Sequence, residues 1–276
     1  MQGDALVRDQ YTRMAHIYEE RVVPRFAPIA ARTVALAELQ EGQRVLDVGC
    51  GTGLATLLAA EHVGPKGEVV GVDFSEGQLG IAAGKAQLRG LGHVQFERAD
   101  ATQLAFEAAF DAAISNLGIP AEFAPTFAGM QRALRPGGRL SVTEWARPQA
   151  EPFDTFRALL AEHLDPHPPP DIVEARAVLA RRRAMFDRIG TVEGFEAALR
   201  AAGFAEVRVA PASYDVPFRS GREAYDVVLS WGWQEQEVRR LPAPARASLQ
   251  EGMERRFGAA PFTARWHLLH GTAQRG

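Results

Sequence analysis

The stretch V-L-D-V-G-C-G-T-G-L, residues 45–54, ends an apolar run with an acid and then alternates glycine with Cys50 and Thr52. Glycine accepts positive φ and leaves room for a ligand against bare backbone. The helix that begins near Leu54 offers free N–H groups at its N-terminus. A tight structural turn explains Gly49, Gly51 and Gly53 equally well when they are taken alone. A second acid, Asp73, closes the next apolar run, E-V-V-G-V-D-F, twenty residues beyond Gly53. From that place a carboxylate hydrogen-bonds the two hydroxyls of a ribose, with Phe74 beside it to pack on an adenine face. The competing reading is an acid that caps the following helix. Asp47 adds a sign: two residues before the first glycine, a carboxylate repels a pyrophosphate and holds a cation. The spacing G-x-G-x-G also departs from the dinucleotide pattern G-x-G-x-x-G. A nucleoside carrying an amino group and a positive sulfonium, S-adenosylmethionine, fits this set.

Strands and helices must bring these residues together. Residues 44–49 and 68–74 read as strands buried on both faces, with Leu54, Leu57 and Leu58 at helical spacing between them. Ser75 and Gln78 form an S-x-x-Q capping box that opens the next helix. Further strands are predicted at residues 94–100, 110–116 and 139–145, the last after a Pro136-Gly137-Gly138 turn. Phe123, Phe127, Met130 and Leu134 mark one face of the intervening helix. Strand alternating with helix about five times implies a doubly wound α/β parallel sheet, because parallel strands need crossovers. Asp47 to Gly49, Asp73, Asp100 and Asn116 then end their strands along one edge, where such sheets bind ligands. Beyond Trp145 the chain reads as mostly helical to residue 190, broken by the stiff connector D-P-H-P-P-P at 165–170. A helix capped by Thr191, a strand near 205–216, helices over 221–258 and a final strand follow.

On these motifs the chain resembles the class I S-adenosylmethionine-dependent methyltransferases, small-molecule type, similar to the ubiquinone and menaquinone biosynthesis group. V-L-D-V-G-C-G-T-G-L resembles their first motif, V-V-G-V-D-F-S the acidic second-strand motif and E-R-A-D-A-T-Q-L the adenine-contacting one. F-D-A-A-I-S-N-L-G and L-R-P-G-G-R-L are similar to their fourth- and fifth-strand segments, and Y-T-R-M-A-H-I-Y-E-E to an N-terminal Tyr-containing helix. The resemblance covers about residues 10–145. It implies a Rossmann-like, seven-stranded, mostly parallel sheet with helical lid insertions. The implied division is an N-terminal helical cover (1–40), a cofactor-binding core (41–150), a lid insertion (151–190) and a C-terminal part of the sheet (191–276) with a second insertion at about 219–258. It implies that Asp47, Gly49, Cys50, Gly51 and Gly53 surround the methionine portion and that Asp73 binds ribose. Asp100, with the Ala101 backbone, meets the adenine amino group, and Asn116 lies near the methionine amino group. Tyr18, and Tyr11 less directly, would close over the cofactor; either also fits as a core residue of its helix.

Methyl transfer from a sulfonium is an in-line displacement in which the protein mainly holds the reacting atoms in line. A general base is needed only where the acceptor must lose a proton, so no catalytic triad is required and none is seen. His16 and His163 are the base candidates, against the simpler reading of surface or packing residues. Cys50 has no sequence neighbour that would activate it. No Cys/His cluster has metal-ligand spacing. Phe153, Phe156, Tyr214, Trp231 and Trp233 are candidate acceptor-pocket residues that would equally serve as packing for lid helices. The Arg181–Arg183 run is expected to be a solvated face.

With 276 residues, a formal charge of −3 and Lys only at Lys66 and Lys85, the chain has no basic field for nucleic acid. No run of about 18 apolar residues predicts a membrane span, the N-terminus lacks a signal-peptide core and a lone cysteine fits a reducing compartment; a cytoplasmic enzyme is expected. Its partner is a small-molecule methyl acceptor, with a homodimer left open. The rival readings are a nucleic-acid or protein methyltransferase and a non-catalytic binding module. S-N-L-G-I after the fourth strand lacks the prolines of base-methylating enzymes, and the intact loop and acids speak against the module.

Overall fold

A computed structural model describes residues 2–148, 151–231 and 234–276. In chain order the elements are α1 (Gln2–Arg21), α2 (Val23–Leu36), β1 (Arg44–Val48), α3 (Leu54–Val63), β2 (Glu68–Asp73), α4 (Glu76–Leu88), β3 (Val94–Arg98), β4 (Phe110–Asn116), α5 (Phe123–Ala133) and β5 (Leu134–Trp145). They continue as α6 (Phe153–Ala161), α7 (Pro170–Ile189), α8 (Val192–Ala201), β6 (Phe204–Phe218), α9 (Gly221–Ser230), α10 (Glu235–Arg240), α11 (Ala243–Phe257) and β7 (Phe262–Arg275). The seven strands form one sheet in the order β3-β2-β1-β4-β5-β7-β6. β1 to β5 are parallel, and β7 runs antiparallel to β5. The doubly wound α/β reading therefore holds. The strand order reverses between β1 and β4, which is the switch point where such sheets open a ligand crevice.

The chain divides into two compact units. One, Phe26–Arg147, Arg181–Ala212 and Leu268–Gly276, carries β1 to β5. Its core is built because β1 and β2 are apolar on both faces and α3 is apolar nearly all round. Val34 and Ala30 of α2, Ala55, Ala59 and Val63 of α3, and Val45, Val69 and Ile114 of the sheet are all essentially excluded from water. The turn expected at Pro136–Gly138 is looped out as a bulge: Phe110 pairs with Leu134 but Ala112 with Arg139, and Gly137 takes φ 77°. Phe127, on the predicted face of α5, stacks on Phe195 of α8 with centroids 5.9 Å apart.

The other unit, Met1–Arg25, Pro148–Ala180 and Ser213–His267, is largely helical. Its core is aromatic. Phe153 lies edge-on to Trp231 at 4.4 Å and near Trp266 at 5.8 Å, and Phe156 packs by Tyr225. Phe153, Phe156 and Trp231 thus pack the helices of this unit; Trp233 lies outside the described residues.

Side-chain caps open α4, α8 and α9. Thr191 and Ser220 each accept the N–H three residues on. Ser75 does the same for Gln78 at 3.3 Å, so Ser75→Ala is expected to cost about 1 kcal/mol. A melting curve unchanged by that substitution would remove the cap from the account of α4. The reciprocal half of the predicted capping box is absent. Ser75 N–H donates instead to Asp73 Oδ1 at 2.9 Å, and both amide atoms of Gln78 are buried without a partner.

Candidate cofactor site and its surroundings

Parallel pairing sets the C-terminal ends of β1, β2 and β4 side by side: Asp47 pairs with Gly71 and with Ile114. The loop after β1 is fixed by its own backbone. Gly49 and Cys50 N–H both donate to Val72 O, at 2.9 and 3.0 Å, and Gly53 N–H to Cys50 O. Gly51 N–H donates to Asp73 Oδ2 at 2.9 Å. The acid ending β2 is therefore bonded directly to the middle of the glycine loop, with its other oxygen on Ser75. The Phe74 N–H also donates to this carboxylate, which keeps acceptor capacity for a ligand hydroxyl. Gly49 has a separate reason to be glycine. It takes φ 69°, and a Cβ there would lie 2.5 Å from Gly118 O, so its freedom is used by backbone packed on the loop after β4.

Asp47 is fully buried. Thr56 Oγ1 donates to its Oδ2 at 2.6 Å, while Oδ1 has no partner. Burial pushes its pKa up to about 7, against the Thr56 bond and aided by the charge of Asp73. Asp73 is also raised by burial. Burial first, then Asp73 and Asp47, push the Cys50 thiol up, so it is a neutral thiol in a loop. Thr52 Oγ1 is a further buried oxygen without a partner. Buried oxygens left without a partner in this way call for a ligand that donates to them. S-adenosylmethionine fits that donor and acceptor set.

The other sequence-predicted residues are placed less uniformly. Asp100 is exposed and caps its own turn, accepting from Thr102 N–H at 2.8 Å and Thr102 Oγ1 at 2.7 Å. Ala101 opens that turn. Phe74 is half-buried directly after Asp73. Asn116 ends β4, and its Oδ1 accepts from Thr33 Oγ1 at 3.0 Å. Tyr18 and His16 are on α1, and His163 follows α6, all in the helical unit. Tyr18 lies edge-on to Tyr11 with centroids 6.1 Å apart, and His16 is exposed.

Several polar residues here were not singled out from sequence. Thr33, Thr143 and His270 form a buried chain, with Thr33 Oγ1 to Thr143 Oγ1 at 2.6 Å and Thr143 Oγ1 to His270 Nδ1 at 2.7 Å. Burial pulls the His270 pKa down to about 4, so it is neutral. Glu144 is completely buried at the end of β5, and its Oε1 accepts from Ile119 N–H at 3.2 Å. The arginine run is not a simple solvated face. Arg182 Nη1 donates to Ile119 O at 3.2 Å, and Arg181 pairs with Glu122 at 3.2 Å. The signal for Glu144 was available: an acid inside the otherwise strand-like R-L-S-V-T-E-W.

A family described as "Methyltransferase domain" matches residues 39–168. The nocamycin O-methyltransferase of Saccharothrix syringae is 32% identical over 231 residues, covering 81% of this chain and 79% of that protein. The demethylmenaquinone methyltransferase of Geobacillus kaustophilus is 38% identical over 113 residues, 40% of this chain, which spans 48% of that relative. Among solved structures, the YcgJ protein from Bacillus subtilis shares the fold with a TM-score of 0.54 at 20% identity, over 89% of this chain and 97% of that one.

Proposed function

The chain belongs to the class I S-adenosylmethionine-dependent methyltransferases related to the menaquinone group, and on that premise we propose that it methylates an oxygen, nitrogen or carbon atom of a small, partly apolar metabolite in the cytoplasm. The observation that carries this reading is the orphaned Oδ1 of buried Asp47 beside the glycine loop. The relative that covers most of the chain is named for O-methylation, and oxygen is the first acceptor atom to test.

The bound cofactor supplies a methyl group already activated on a positive sulfur. The chain's own task is to hold it and to hold the acceptor in line. Asp73 receives the ribose hydroxyls while fixing Gly51 and Ser75. Asp47, with Gly49, Gly51, Gly53 and the Asn116 end of β4, faces the amino-acid portion. Asp100, Ala101 and Phe74 are assigned to adenine. Residues 151–190 and 219–258 are assigned to acceptor selection.

Asp47 gives this reading a pH signature. In the free chain its carboxyl is half-protonated near pH 7. A cationic ligand favours the ionised form and lowers that pKa, so binding releases a proton and tightens as pH rises. Between pH 6 and 8 the affinity for S-adenosylmethionine should rise by about five- to tenfold. 5′-Methylthioadenosine, which has neither the sulfonium nor the methionine α-amino group, should bind with a flat profile, as should both ligands with Asp47→Asn. Calorimetry across that range checks it, and equal slopes for the two ligands in the native chain would remove Asp47 as the counter-charge.

A further inference from the structure

We propose that Glu144 takes the acceptor's proton, so that the acceptor is a group nucleophilic only once deprotonated, a phenol or an enolisable carbon acid. This rests on the methyl-transfer reading above. Glu144 stands one residue beyond Thr143, the register partner of Asn116, at the edge where the parallel strands end. One carboxylate oxygen is engaged by Ile119 N–H, and Arg182 holds the carbonyl of the same residue. The loop after β4 is thus clamped through both polar groups of Ile119. The other oxygen, Oε2, is buried and has no hydrogen-bond partner.

Anchoring a loop needs only one of these oxygens, and a glutamine would do it without burying a charge. A buried carboxylate oxygen left unsatisfied is costly and calls for a function. Leu117, two residues before Ile119, is held at φ 61°, a region that side-chain-bearing residues avoid and that gathers at reactive sites. Burial pushes the Glu144 pKa up to about 7, against the nearby Arg182 charge and the N–H groups of Ile119 and Trp145. Among the described residues Arg182 is the charged group facing it. Thr143 carries His270 on the opposite face of β5, because side chains alternate along a strand. A base with that affinity is half-ionised at neutral pH, where proton transfer is most effective.

The step balances. The acceptor O–H or C–H bond breaks and its proton goes to Glu144 Oε2; the acceptor's freed electron pair forms the new bond to methyl. The electron pair of the methyl–sulfur bond stays on sulfur, leaving a neutral thioether. Glu144 later returns the proton to water.

The test uses the full chain with two acceptor probes, 4-cresol, neutral at pH 7, and 4-nitrothiophenol, already an anion there. Glu144→Gln should lower transfer to the cresol by about 10²–10⁴-fold and abolish its rise with pH, while transfer to the thiolate falls less than about fivefold. Glu144→Asp should keep the pH-dependent limb at reduced rate. Equal losses on both probes, or none, overturn the proposal. A second measurement needs no turnover. In the complex with S-adenosylhomocysteine, the infrared band of a protonated carboxyl absent from Glu144→Gln should titrate with a midpoint near 7. A midpoint in the ordinary carboxylate range overturns the proposal even if neither probe is methylated. A native chain that binds no S-adenosylhomocysteine overturns the methyl-transfer reading instead.

Discussion

Gly49→Ala is expected to lower the melting temperature by roughly 4–20 °C, or to prevent folding. Two costs add. The residue sits at φ 69°, where a side chain costs about 1–2 kcal/mol. The new Cβ would also meet Gly118 backbone, its oxygen at 2.5 Å and its Cα at 2.6 Å. Those atoms belong to a loop braced on Ile119 by Glu144 and Arg182 and cannot swing aside as a flexible side chain would. Overpacking of that kind costs about 1–3 kcal/mol or more, and each kcal/mol moves the melting point of a chain this long by about 2–4 °C. Gly51→Ala is the control. Gly51 is also left-handed, at φ 55°, but a Cβ there meets only the Gln78 side chain, at 3.5 Å. Only the conformational cost remains, so its melting point should fall less than half as far. Thermal denaturation followed by circular dichroism decides the pair, and equal shifts would mean that the approach of Gly118 does not matter.

Asp73→Ala should weaken S-adenosylhomocysteine binding by about 1–3 kcal/mol, a factor of roughly 5 to 150. The side chain has two tasks that the substitution removes together. It accepts from Gly51 and Ser75 N–H, which shapes the loop and the start of α4. Its remaining lone pairs are those assigned to ribose. Asp73→Asn separates the tasks, because the amide keeps one acceptor but cannot hold both backbone donors and ribose. It should melt closer to the native chain than Asp73→Ala while still binding the ligand more weakly. If both variants bind the ligand as the native chain does, Asp73 is a cap and loop brace and has no part in the ligand.

The positions of Asp47, Asp73 and the glycines were legible because each depends on local chain events: an apolar run, its end, and a turn that only glycine accepts. Five parallel strands were legible for the same reason, since their helical crossovers leave regular intervals in sequence. Other features depend on residues far apart in the chain. The pairing of Gly49 with Gly118, the clamp on Ile119 by Glu144 and Arg182, and the Thr33–Thr143–His270 chain have no local period to betray them. Glu144 looked like one residue in a strand, and its burial depends on α7 and the loop after β4. Gln78 failed in the opposite way. Its spacing from Ser75 matched a capping box, but Asp73 had already taken the Ser75 N–H. Local propensity proposes a bond, and a stronger, charged acceptor nearby takes it.

The place of β7 between β5 and β6 bears on how the chain is made. Synthesis runs from the N-terminus, so β6 leaves the ribosome before the neighbour it must pair with exists. For the seconds in which the intervening helices are translated, β5 presents an open border and β6 has nowhere to dock. That interval is when a nascent chain is exposed to mispairing with another copy. The helices between β6 and β7 can meanwhile bury their own apolar surface, which shortens the list of sticky segments awaiting the last strand.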